Sequence, residues 1–86
     1  MNIYKALKFI RSSKEPFGLS FTRLFGENAG EVINLENQLD GPLQKNQNQR
    51  YMTGIQCQKT GKMRHIYIHS ILSITTADNK TFKLSL

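Results

Sequence analysis

His65, Tyr67 and His69 alternate with Ile66 and Ile68 in the stretch from Lys62 to Ile74, which also carries Met63 and Arg64. On a helix, two histidines four apart would form a metal-ligand pair. On a strand the same spacing separates them by about 13 Å along one face, too far to share an ion. The run of β-branched and aromatic residues with period two is a strand pattern. On a strand, Met63, His65, Tyr67 and His69 make a row of stacking and hydrogen-bonding groups, with Lys59, Lys62 and Arg64 at its hairpin end. Stacking groups combined with cations are what single-stranded nucleic acid binds. Packed beneath a helix or a second subunit, the same row would be core, and the residues alone leave both readings open.

Other reactive residues carry less. Cys57 lies in an alternating apolar stretch, where a lone cysteine reads as a small core residue, and no neighbour marks it as activated. Lys59-Thr60-Gly61-Lys62 reads as a hairpin turn and lacks the strand-to-helix setting of a phosphate loop. The carboxylates have no paired spacing for acid–base work. The expectation is a non-catalytic protein with no cofactor, no metal and no small-molecule substrate.

The chain has 86 residues, 38% of them hydrophobic, one cysteine and a formal charge of +6. That length makes a single domain of 1–86 whose core is only just large enough for stability, so oligomerisation or docking would help it. One cysteine excludes an internal disulfide and suits a reducing compartment. No apolar run approaches the roughly 20 residues that span a bilayer, and charges at Lys5, Lys8 and Arg11 argue against a signal peptide. A cytoplasmic protein without membrane contact is expected. Charge is segregated: residues 24–44 hold Glu27, Glu31, Glu36 and Asp40 and no lysine or arginine, while residues 45–77 hold Lys45, Arg50, Lys59, Lys62 and Arg64 and no acid. Such asymmetry favours an anionic partner or head-to-tail packing of copies, although a basic surface can also serve solubility alone.

The elements that must position these residues follow from periodicity. Ile3, Ala6, Leu7 and Ile10 form one apolar face of an N-terminal helix within 1–15, capped by Asn2 and stopped by Pro16. Phe17, Leu19 and Phe21 alternate in a first strand. A turn from Gly26 to Gly30 leads to a second, 31–35, with Ile33 and Leu35 inward, and Asp40-Gly41-Pro42 breaks the chain. The polar loop at 41–50 carries Lys45 and Arg50 among amides able to hydrogen-bond bases. A third strand follows at 51–58, with Gly54 at a bulge or a close backbone approach. The opening stretch is the fourth strand; the three-residue spacing of Ile71 and Ile74 predicts a helical turn or kink after it. The fifth strand places Phe82, Leu84 and Leu86 inward.

The fold class is therefore mainly β (α+β): an N-terminal helix, then a five-stranded antiparallel SH3-like or Sm-like small barrel over 17–86. Tyr67, His69 and Ile71 within Ile66-Tyr67-Ile68-His69-Ser70-Ile71-Leu72-Ser73-Ile74 resemble the second signature of the bacterial Sm-like RNA chaperones. There a tyrosine–histidine segment running between the last two strands helps bind RNA. The lysine expected before the histidine is Ile68 here, and the first Sm signature is not recognisable. In shortness and lysine-rich composition the chain also resembles small proteins of bacteriophages and mobile elements, which implies a virion-associated setting as the alternative to the cytoplasm. The resemblance and the charge together point to binding of RNA or single-stranded DNA through Lys45, Arg50, Lys59, Lys62, Arg64, His65, Tyr67 and His69. The alternative is a protein–protein assembly module, such as a phage-type structural subunit or homo-oligomer.

Overall fold

The computed structural model of the chain describes residues 1–43 and 51–84. Asn2 caps helix α1 (Ile3–Ser12), its Oδ1 accepting the Lys5 N–H at 2.8 Å. That satisfies one of the donors a helix start leaves unpaired. At the other end the Ser13 N–H donates to the Phe9 carbonyl at 2.9 Å, and Pro16 follows. Ala6 and Ile10 are fully buried, with Ile3 and Leu7 half-buried beside them. Phe9, outside the expected stripe, meets Phe17 edge-on with ring centroids 5.6 Å apart.

Six strands follow: β1 (Phe17–Thr22), β2 (Val32–Gly41), β3 (Met52–Cys57), β4 (Met63–Tyr67), β5 (Ile71–Thr75) and β6 (Thr81–Lys83), with a 3-10 turn at Ile68–Ser70. They form one antiparallel sheet in the order β4-β3-β2-β1-β5-β6. Two expectations are corrected. Among the described residues there are six strands rather than five, and the sheet they form is open, with β4 and β6 as its edges. The extra strand comes from the segment after the bend. Ile71 and Ile74 face the same side across three residues because β5 is bulged, not helical: Phe21 pairs with Ile71 while Ser20 pairs with Ser73, so Leu72 is the extra residue.

A second bulge changes β2. Leu19 pairs with Leu35 but Phe17 with Gln38, leaving an extra residue near Asn37, whose φ is 58°. Asparagine tolerates this left-handed conformation better than most residues. The bulge shifts the alternation by one, so Gln38 is buried and Leu39 only half-buried. β2 also continues to Gly41 instead of ending near Leu35.

The core joins Ala6 and Ile10 of the helix to Phe17, Leu19, Ile55, Ile66, Ile71 and Ile74 of the sheet, with Met1, Phe9, Phe21, Leu35 and Leu84 packed against it. Phe82 pairs with Ile74, on the expected face, but stays 39% exposed because β6 is an edge strand. The Met1 ammonium donates to the Lys83 carbonyl at 3.0 Å, tying the chain's start to β6. Leu86 and the stretch 44–50, with Lys45 and Arg50, lie outside the described residues. No helix among the described residues is long and apolar enough to cross a membrane.

Gly54 occupies the close approach expected of it. A Cβ there would stand 2.5 Å from the Gly41 carbonyl oxygen and 2.8 Å from that of Pro42. Gly54→Ala should therefore force β2 and β3 apart and cost about 1–3 kcal/mol, read as a lower urea midpoint at unchanged m.

Candidate nucleic-acid interface

β4 splits the expected site by alternation. Ile66 and, beyond the strand, Ile68 are buried, and Arg64 is half-buried on their side, opposite Ile55. Met63, His65 and Tyr67 take the outer face. Met63 and Tyr67 are exposed, so the row is not covered by the helix, which packs on the other face. His65 is different: it faces the Gly54 backbone, is half-buried, and its Nε2 is buried without a hydrogen-bond partner among the described residues. That nitrogen is turned away from any ligand on the surface. His69 is exposed on the 3-10 turn, off the strand whose straight spacing set its predicted distance from His65.

The residue missed by periodicity is Phe25, in the β1–β2 connection. Its ring meets that of Tyr67 edge-on, with centroids 5.6 Å apart and planes at 64°. Phe25 is 69% exposed and Tyr67 39%. This arrangement leaves ring surface open to solvent, at a chain corner where Leu24 and Tyr51 are also exposed. The Tyr51 carbonyl accepts the Ile68 N–H at 2.8 Å, which places Tyr51 beside the turn. No spacing rule flags a phenylalanine in the β1–β2 connection; only the folded corner joins it to Tyr67.

The cations gather elsewhere. Lys59 and Lys62 flank the β3–β4 turn, where Gly61 has φ of 74° and its N–H donates to the Cys57 carbonyl at 2.8 Å. Lys62 and Arg64 line a recess with Gln38 and Cys57, on the side of β3 and β4 that also carries the core. Neither lysine nor Arg64 is matched to a carboxylate among the described residues, where the two ion pairs are Arg23–Glu31 at 3.9 Å and Lys80–Asp78 at 3.7 Å. The acidic segment is partly engaged within the chain, Glu31 by Arg23 and Asp40 by the nearby Arg11. Burial pushes the Asp40 carboxyl up against the pull of that guanidinium. No three His, Cys, Asp or Glu side chains converge as a metal site among the described residues.

Cys57 has neighbours that the sequence did not reveal. Its Sγ donates to the Glu36 carbonyl at 3.9 Å, while the Thr60 hydroxyl, then the Thr60 and Lys59 backbone N–H groups and the Gln38 side chain, pull the thiol below its ordinary 9.0. These contacts favour the thiolate. Comparison with known proteins returns no matching family model, no matching curated protein and no matching solved structure.

The thiol carries a pH prediction. A folded value below the unfolded one gives stability that is fully present above the unfolded value and is lost as pH falls through the folded one. Alkylation of the native chain by iodoacetamide should reach half its limiting rate at lower pH than in urea, and Thr60→Val should raise that pH.

Proposed function

We propose that the chain is a non-catalytic, basic binding module for RNA or single-stranded DNA, built as an incompletely closed small barrel. What supports the barrel reading is the run β5-β1-β2-β3-β4 with a 3-10 turn linking its two ends. The observation that carries the nucleic-acid reading is the exposed Phe25–Tyr67 pair on a chain of charge +6. Unstacked bases lie on such rings whatever their identity, and the exposed His69 adds a hydrogen-bonding group to the same corner. Lys59 and Lys62 at the hairpin supply charge for the backbone, while Arg64 and His65 are set apart by their half-buried positions.

One observation favours the assembly reading instead. Among the described residues β4 and β6 are the edges of the sheet, and exposed Met63 and Phe82 lie on them. Such edges are templates for pairing with another chain. The internal engagement of Glu31 and Asp40 weakens the version in which an acidic segment docks on a neighbour's basic face.

Fluorescence anisotropy with labelled oligo(U) and oligo(dT) distinguishes them. The nucleic-acid reading expects binding that weakens steeply with salt. Tyr67→Ala and Phe25→Ala should each cost about 1–3 kcal/mol, and Lys59→Ala with Lys62→Ala should flatten the salt slope. No binding at low salt, with a defined homo-oligomer by light scattering, would overturn it in favour of assembly.

A further inference from the structure

The sheet has a further free edge within it. β2 runs from Val32 to Gly41, but β3 pairs only with Gln38 to Gly41. Next the Gln58 N–H donates to the Asn37 carbonyl at 2.8 Å, and the chain then turns into the β3–β4 hairpin. Residues 32–36 therefore have β1 on one side and, among the described residues, no strand on the other. The ladder says which groups this leaves open. The Glu31 carbonyl accepts the Arg23 N–H at 2.9 Å, so Glu31, Ile33 and Leu35 turn their backbone polar groups toward β1. Val32 and Asn34 turn theirs away, and these N–H and C=O groups have no partner among the described residues. Both residues are exposed.

Beside this row lies a recess of about 360 Å³, lined by Asn34, Leu35 and Glu36 of β2 and by Thr60, Lys62 and Arg64 across from them. Ile33 and Leu35 are only half-buried, which leaves apolar surface next to the open backbone. Lys62 and Arg64 have no carboxylate partner among the described residues, and Glu36 is the one acid in the lining. A row of unpaired N–H and C=O groups is a template for an added strand. The two cations select what that strand carries. The chain's own sheet edges suit the place poorly, because β4 carries Arg64, β6 carries Lys83, and neither strand holds an acid. A second copy docking by either edge would set cation against cation.

We propose that residues 32–36 capture an extended acidic peptide of another protein as an added strand. Its backbone bonds to Val32 and Asn34, its alternate apolar side chains cover Ile33 and Leu35, and a carboxylate at the hairpin end meets Lys62 and Arg64. The open row is about 17 Å long, so a short linear segment fills it. The site shares Lys62 and Arg64 with the nucleic-acid reading and takes nothing from the Phe25–Tyr67 corner that carries it.

The probe is a short labelled peptide of alternating valine and threonine with glutamate at both ends. Its controls are the same peptide with lysine ends and the same peptide N-methylated at every residue. Anisotropy with the full chain should show the lysine peptide binding about tenfold more weakly than the glutamate peptide, and the N-methylated peptide not binding. Hydrogen exchange should show the Val32 and Asn34 amides open in the chain alone and protected by the glutamate peptide. Lys62→Glu should invert the preference between the charged peptides. Asn34→Pro removes an outward N–H without breaking a bond to β1, and should lower affinity about tenfold. Oligo(U) binding unchanged in that variant would keep the nucleic-acid reading separate. No binding at low salt, equal binding of the N-methylated peptide, or binding that leaves the two amides unprotected would overturn the proposal. So would protection in the chain alone that rises with its concentration, which would assign the edge to a second copy.

Discussion

Three residues, Ile68–Ser70, connect β4 to β5, and those strands sit four positions apart in the sheet. In a flat sheet four spacings amount to about 19 Å. The four residue steps from Tyr67 to Ile71 reach at most about 14 Å. The sheet must therefore curl until its β4 edge comes back toward β5. The connection is held by its own hydrogen bonds: Ile68 N–H to the Tyr51 carbonyl at 2.8 Å, Ser70 Oγ to the Tyr67 carbonyl at 2.6 Å, and the Ile71 N–H back to Ile68. The curl gathers Ile66, Ile71 and Ile74 into one core with the helix residues Ala6 and Ile10. The bulges in β2 and β5 add the local bending that such curvature requires.

The same corner makes the candidate interface. Tyr67 is the last residue of β4, just before the turn, so its side chain stands outside while Ile68 goes in. The β1–β2 connection reaches this corner because the end of β1 pairs with the start of β5, and Phe25 meets Tyr67 there. Aromatic and cationic groups that neighbour one another in sequence are thus divided between two faces of β4. Tyr67 lies outside, and Arg64 turns to the recess by the hairpin.

Three polar atoms, Gln38 Oε1, Thr53 Oγ1 and His65 Nε2, are buried without a partner among the described residues. In a domain of this size, stabilised by roughly 5–15 kcal/mol at most, each is a considerable burden. Gln38 is turned inward by the β2 bulge, Thr53 lies on the same face of β3 as Ile55, and His65 sits against the Gly54 backbone. Of the three, Gln38 lines the recess beside the hairpin with Cys57, Lys62 and Arg64.

Local pattern alone determined much of the protein. Asn2 and Pro16 bound the helix, the alternation of Phe17, Leu19 and Phe21 marks β1, and Thr60-Gly61 makes the turn before β4. Each depends on contacts within a few residues, which short-range sterics and capping decide. The clash at Gly54 was foreseeable as a need for glycine, though not which backbone would approach. Whether Ile71 and Ile74 belong to a turn or a strand was decided by pairing with β1, since a bulge and a helical turn share the same spacing. Long-range pairing also set the phase of Gln38, the meeting of Phe25 with Tyr67, and the exposure of Phe82 on an edge. None of these has a local signal, because each depends on which strand lies beside which. Tyr67 and His69 were legible as surface candidates. That Arg64 faces the recess and His65 hides its Nε2 became visible only once the sheet curled around its three-residue link.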